Sequence, residues 1–374
     1  MYLGYFSHYD IRPCLCQYLW VYYMVRDKLP DTYFILNEDY IRPFTPQQRW
    51  EMRVDRALEK GYLPPTIHAP EHYTVLEKAQ VTYPNLMPSE VLNKTIRNGV
   101  GGQEEAVAKV LDNYDIKCGL LWLNNYAFKN QLNKRGIPVI HNEGGALRHD
   151  VYRESIYFDF SGVNGNTEFD KRFKKFLKIS DKVKLFDRKE LLKIISPKYS
   201  EELIKVLNRK TKPEYKIGVG MQVEMDTNLL VYNNGYAYFD VVLQARKECN
   251  NVLIRNHPCA SVKFESLFGC ELDKSKSSFE FINKCENVYC LNSSVGFEAM
   301  LLGRKAKVFG ENPFKSLTTM DEETLVKALN FAIFSYQVPV EYLFDENYYN
   351  QRIEMGLEDE EALYNLGLKT WNVK

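Results

Sequence analysis

The sequence predicts an α/β fold of two domains, each built on an open, mostly parallel sheet with helices on both faces. Three observations predict it. The chain has 374 residues, more than one ordinary hydrophobic core serves. Short apolar runs alternate with segments of helical period. In the second half, four successive apolar runs end in polar clusters, and the carboxyl edge of a parallel sheet is where ligands sit.

Taken in order, "KCGLLWL" at 117–123 predicts a buried strand, "NYAFKNQLNKR" at 125–135 a helix, and "GIPVIHNEGG" at 136–145 a strand closed by a glycine turn. Residues 171–216 carry apolar residues at helical spacing and end in a Lys/Pro-rich turn, which predicts helices leading to a linker near 210. Beyond it, 215–223 predicts a strand, 235–248 a helix, and "NVLIRNHP" at 251–258 a second strand. A helix opened by Ser277 or Ser278 leads to a third strand, "NVYCLNSS", at 287–294. "SVGFEAMLLG" predicts a helix stopped by Gly303, "KAKVFGENPF" a fourth strand, and 321–336 a helix capped by an acid. The expected domains are 1–210, 211–340 and a set of C-terminal helices, 341–374, packing back on the first, with a ligand cleft between the two large domains.

Composition narrows the function. Forty-nine basic residues balance forty-nine acidic ones, so the chain as a whole has no nucleic-acid footprint. The balance is uneven: residues 171–216 hold sixteen Lys/Arg against six Asp/Glu, which suits a solvated helix face or, as the sharper alternative, a surface for an anionic membrane or an anionic acceptor. The apolar stretch 14–25 is too short to span a bilayer and is expected as a buried, aromatic-rich helix. No signal-peptide pattern is read, and the expected location is the cytoplasm, peripheral at the inner face of the inner membrane. Eight scattered cysteines lack paired zinc spacing and six histidines form no His-x-x-x-His pair, so no metal is expected.

The four strand ends carry the chemistry. They deliver Gln222, Glu224 and Asp226; Arg255, Asn256 and His257; Asn292, Ser293, Ser294, Gly296 and Glu298; and Gly310 with Glu311. A helix beginning near Ser294 offers free N–H groups to a phosphate, Gly296 allows close approach, and His257 can donate to the same group. Glu298, one turn further, suits a ribose hydroxyl pair; as an alternative, the serines cap and Glu298 is a first-turn acid. In the first domain, Glu143 ends a strand and suits proton transfer. Arg148, Glu154, Ser155 and Asn164 lie near glycines and suit a sugar or acceptor, although Asn164 equally suits a left-handed turn.

"RNHP", with "NSSVGFEAMLLGRKAKVFGENPF" some thirty-five residues later, resembles the nucleotide-binding half of GT-B glycosyltransferases that use CMP-activated acidic sugars. The likeness extends to capsule and O-antigen β-Kdo transferases through Gln222-Val-Glu-Met-Asp226 and the segment 142–166. That resemblance implies a GT-B fold of two Rossmann-like domains with CMP-Kdo as donor. Ser293, Ser294 and His257 would hold the phosphate, Glu298 the ribose, and backbone near Gly310 the cytosine. Asp226 would be the nucleophile of a retaining, metal-free transfer, with Glu224 as its rival. The acceptor would be a saccharide or lipid-linked glycan of a bacterial surface polysaccharide. Other GT-B chemistry (a sialyltransferase, a polyol-phosphate transferase, a UDP-sugar enzyme) and a non-catalytic glycan-assembly subunit are the alternatives.

Overall fold

The structure, a computed structural model, describes residues 1–6, 15–43, 46, 68–77, 83–148, 151–209, 212–223, 226–258, 260, 263–356 and 358–373. The chain forms two compact units. One comprises Met1–Asn142, Asp159–Gly162 and Phe344–Glu354; the other comprises Glu143–Phe158, Val163–Leu343 and Met355–Lys374.

In the first unit, strands β1 (Tyr2–Phe6), β2 (Thr32–Leu36), β3 (Tyr73–Val75), β4 (Cys118–Leu121) and β5 (Val139–Gly144) lie in the order β5-β4-β1-β2-β3, all parallel. β1, β2 and β4 are buried along their whole length, as a sheet covered on both faces requires. Leu3, Ile35, Leu121, Phe128, Leu132 and Val139 share one core. The aromatic stretch near the start is the expected buried helix, Leu15–Lys28, with Leu19, Val21, Tyr22, Tyr23 and Val25 inside. The Tyr22 ring meets Phe34 edge-on at 5.2 Å and Tyr40 at 5.6 Å. No described helix is long and apolar enough to cross a membrane.

The second unit contains an antiparallel pair, β6 (Ser155–Asp159) with β12 (Gln337–Pro339), and a parallel five-stranded sheet. Its strands are β7 (Tyr215–Gly220), β8 (Val252–Arg255), β9 (Glu271–Leu272), β10 (Cys285–Cys290) and β11 (Lys305–Val308), in the order β11-β10-β7-β8-β9. Alternate side chains enter two different cores. Leu253, Val288 and Cys290 join one, while Ile254, Val219, Ile217 and Tyr289 join the other. The sheet is therefore covered on both faces, as the alternation of strands and helices predicts. β9, two residues long, is too short to leave a periodic signal.

The compact units do not divide at 210. The basic segment forms helices Phe169–Leu177, Arg188–Ile195 and Ser200–Leu207. Their apolar faces place Phe173, Phe176, Leu192, Ile195 and Leu203 in the same core as Phe281, Val288 and Phe297, so this material belongs to the second unit. Lys171, Lys174, Lys178, Lys189, Lys193 and Lys198 remain exposed. The last segment also divides: 344–354 groups with the first unit, while Tyr364 and Trp371 enter the core of the second. There Glu360 accepts from Arg172 Nε at 2.7 Å, with both side chains almost wholly buried.

Candidate active site

Register fixes the edge on which function can be built. Gly220 of β7 lies beside Cys290 of β10 and Arg255 of β8, and Cys290 lies beside Val308 of β11. Because these strands are parallel, the chain leaves all of them on the same side of the sheet. The residues that do so include Gln222 and Asp226, Asn256 and His257, Asn292 to Ser294, and Gly310.

Two of these groups are spent on the chain itself. Gln222 Nε2 donates to Asn292 Oδ1 at 2.7 Å, and the Asn292 backbone N–H donates back to Gln222 Oε1 at 3.0 Å. Asn292 Nδ2 donates to the carbonyls of Asn228 (2.9 Å) and Tyr232 (3.2 Å). Both side chains are buried, which fits groups whose polar atoms must be paired inside the protein. Gly310 is similarly constrained: a methyl group there would lie 2.7 Å from the Tyr232 carbonyl oxygen and 3.2 Å from that of Leu291. Gly296 makes its close approach to the sheet, since a methyl there would meet Val308 at 3.1 Å and Cys290 at 3.2 Å.

The serine pair divides its work. The Ser293 hydroxyl accepts from the Val295 N–H at 3.3 Å. Ser294 already has helical dihedrals at the mouth of the Val295–Leu301 helix, and its side chain makes no capping hydrogen bond. Its half-buried hydroxyl is thus not explained as a cap. Upstream, Ser277 caps the Ser278–Lys284 helix by accepting from the Glu280 N–H, which leaves Ser278 for other work.

That work is at Glu298. The sequence presents Glu298 as a carboxylate open to a ribose, but it lies on the packed face of its helix and is only 4% exposed. Oε2 accepts from Ser278 Oγ at 2.6 Å and from Tyr152 OH at 3.4 Å. Burial pushes the carboxyl up to about 7, against the opposing pull of the Ser278 hydrogen bond, the Arg148 charge, the Tyr152 hydrogen bond and the Arg255 charge. Tyr152 was not marked by the sequence, because a lone tyrosine in "DVYRE" carries no motif.

Arg255 and Asn256 are likewise engaged in holding loops. Arg255 Nη1 donates to Asp273 Oδ2 at 2.6 Å and to the Ser275 carbonyl at 2.9 Å. Burial alone would raise the Asp273 carboxyl, and hydrogen bonds from Ser275, Lys284 and Arg255 overcome it and hold the group below its ordinary value. Asn256 clamps Phe264 through both its amide atoms. His257 is half-buried and its carbonyl accepts from the Ala260 N–H. Asp226, half-buried, caps the Thr227–Val231 helix by accepting from the Asn228 N–H at 2.9 Å. Glu224 lies outside the described residues.

The polar segment 143–166 is mostly structured. Glu143 Oε1 accepts from the Gly144 N–H at 2.8 Å. Exposed Arg148 places Nη1 where a side chain on Gly144 would stand. Half-buried Glu154 gives its carbonyl to the Val340 N–H. Ser155 is buried within β6, where its hydroxyl donates to Gln337 Oε1 at 3.0 Å, so it is not presented to a sugar. Asn164 takes the left-handed turn conformation, with φ of 62°, and is buried. The adjoining Gly165 packs on Tyr232 and Glu311, which brings this turn to the strand-end edge. Among the described residues no trio of His, Cys, Asp or Glu is grouped as a metal site needs.

Residues 4–168 match the model of the glycosyltransferase 99 family N-terminal domain, and residues 274–329 match that of capsule polysaccharide biosynthesis proteins. The chain is a glycosyltransferase of capsule polysaccharide synthesis. The two matched stretches contain the 142–166 and 292–314 motifs on which the resemblance to capsule β-Kdo transferases rests. Among solved structures, the transferase is similar to the β-Kdo 2,7 transferase of Thermosulfurimonas dismutans KpsC, at 15% identity, covering 93% of this chain and 99% of that one, with a TM-score of 0.46. The β-Kdo 2,4 transferase of the same protein gives 14% identity over 64% and 87%, with a TM-score of 0.41. A UDP-GlcNAc 2-epimerase of Methanocaldococcus jannaschii gives 11% over 95% and 100%, with a TM-score of 0.31. No curated protein sequence matches the chain.

Proposed function

We propose that this transferase moves Kdo from CMP-Kdo to a saccharide acceptor with retention of anomeric configuration, using Asp226 as nucleophile and no metal. One observation carries the reading: adjacent parallel strands bring Asp226 and the Ser293–Ser294 turn out at the same edge, with a Ser294 hydroxyl that does not cap its helix. Ser294, Ser293 and His257 bind the CMP phosphate, whose charge is offset by hydroxyl and N–H donors.

In the first step an Asp226 oxygen bonds to the anomeric carbon while the carbon–oxygen bond to phosphate breaks, and CMP leaves with its electron pair. In the second, an acceptor hydroxyl oxygen attacks that carbon. The ester bond to Asp226 breaks, the carboxylate is restored, and the acceptor proton passes to Glu143. Two inversions give retention. The capping hydrogen bond from the Asn228 N–H holds the Asp226 carboxylate in place.

Intact-protein mass spectrometry after mixing with CMP-Kdo should show one sugar adduct, mapped to Asp226 and lost in Asp226→Asn. Full transfer activity in Asp226→Asn would refute the nucleophile. The exposed lysines of 171–198 suit peripheral binding to an anionic inner-membrane face. Co-sedimentation with phosphatidylglycerol vesicles but not with pure phosphatidylcholine vesicles is the expected result, and equal binding to both would remove this part of the proposal.

A further inference from the structure

We infer that Gln222 and Asn292 are positioning residues: a reciprocal amide pair that holds the Asp226 turn and the Ser293–Ser294 turn in fixed relation. The inference rests on the reading that these two turns carry the nucleophile and the phosphate grip. By residue type both amides suit a donor contact, because strand-end amides commonly meet ligands.

The hydrogen bonds assign them otherwise. The Gln222 amide uses its N–H on Asn292 Oδ1 (2.7 Å) and its oxygen on the Asn292 backbone N–H (3.0 Å). The remaining donor group of Asn292 reaches the carbonyls of Asn228 and Tyr232, at either end of the short helix that Asp226 caps. The Asn292 carbonyl in turn accepts from Asn312 Nδ2 at 3.3 Å, and the Gln222 carbonyl accepts from Tyr238 OH at 2.9 Å. Asn292 thus joins the ends of β7, β10 and β11 to the Asp226 helix, one residue before the serine pair.

An amide pair of this kind is directional. Each partner must present a donor to the other's acceptor, and a buried acceptor facing an acceptor costs free energy with no water to relieve it. Gln222→Glu keeps shape and changes only that pattern. When ionised, the new carboxylate faces Asn292 Oδ1 with no proton to give; when protonated, its O–H donates there as the amide did.

The test is initial-rate release of CMP from CMP-Kdo by the full chain at pH 8 and pH 6, with calorimetric CMP binding. For Gln222→Glu at pH 8 we expect kcat to fall at least about tenfold, because misplacement of reacting groups acts on the chemical step. The KM for CMP-Kdo and the Kd for CMP should stay within about threefold of wild type, since neither amide touches the donor. At pH 6 kcat should recover toward the wild-type value at that pH. Asn292→Asp, which removes the donor to the Asn228 and Tyr232 carbonyls, should give the same loss of kcat at unchanged CMP affinity. A tenfold rise in KM and Kd with kcat preserved would overturn the inference and make the amides donor-binding groups. A folded wild-type chain that releases no CMP would refute the donor reading instead, and the inference with it.

Discussion

Replacing Glu298 by glutamine should stabilise the protein above about pH 4.5, by an amount that grows as the pH rises to 7. The carboxyl is fully enclosed, and burial pushes its pKa from 4.5 up to about 7. For a carboxyl raised in this way the sign is unusual. Below pH 4.5 it is protonated in both folded and unfolded chains and costs nothing. As pH rises from 4.5 to 7 the unfolded chain releases the proton while the folded one still holds it, so stability falls. Above 7 both are ionised and the full cost remains. At about 1.4 kcal/mol per pKa unit, that cost is roughly 3 kcal/mol at most.

The amide oxygen of a glutamine can replace Oε2 as acceptor for Ser278 and Tyr152 without placing a charge there. For a domain of this size roughly 3 kcal/mol corresponds to some 6–12 °C, an upper bound that any imperfect refitting of the hydroxyls lowers. The assay is thermal unfolding of wild type and Glu298→Gln at half-unit steps from pH 4.5 to 8.5. The variant should melt higher at pH 8, by an amount that stays nearly level down to pH 7, shrinks below it and vanishes near 4.5. A variant that melts lower at pH 8, or a difference independent of pH, would show that the Glu298 carboxyl carries no burial cost. CMP affinity measured alongside should change by less than about threefold, because an enclosed carboxyl with hydroxyl partners is a structural support for the serine helix.

Two serine variants separate capping from ligand binding. Ser277→Ala removes a helix cap and should cost about 1 kcal/mol in denaturant unfolding while leaving CMP affinity unchanged. Ser294→Ala removes a hydroxyl that caps nothing, so the unfolding midpoint should stay put while calorimetry shows CMP binding weakened by about tenfold, the loss of one hydrogen bond to a charged group.

The second half of the fold was legible because its strands and helices alternate with strong local punctuation. Asp321 accepts from the Thr324 N–H as an acid cap should, and Gly303 takes the left-handed conformation that ends the preceding helix. The division into units was not legible at 210. The Lys/Pro-rich turn that ends 171–216 suggests helices closing the first domain, yet every third or fourth residue is apolar, and those residues decide where the helices pack. A Lys-rich helix with Phe173 and Phe176 on one face joins whichever core accepts that face.

For the site, the strand ends were readable and the fate of each side chain was not. Spacing places Gln222, Arg255, Asn256 and Asn292 at the carboxyl edge, where residue type alone makes each a ligand group. A residue at that edge, however, answers two demands, since the loops that leave a parallel sheet carry backbone groups that also need partners. Asn256 meets that demand for Phe264, Arg255 for Ser275, and Asn292 for Asn228 and Tyr232. The serines differ because the Ser293 hydroxyl takes up the Val295 N–H and leaves Ser294 without that duty. Residue type at a strand end therefore does not tell whether a polar group is spent on the chain, left for a ligand or, like Asp226, held by the chain at one atom, and only three-dimensional pairing tells these apart. Two nearby residues of one motif, Asn292 buried in pairings and Ser294 capping nothing, fall on opposite sides of that division.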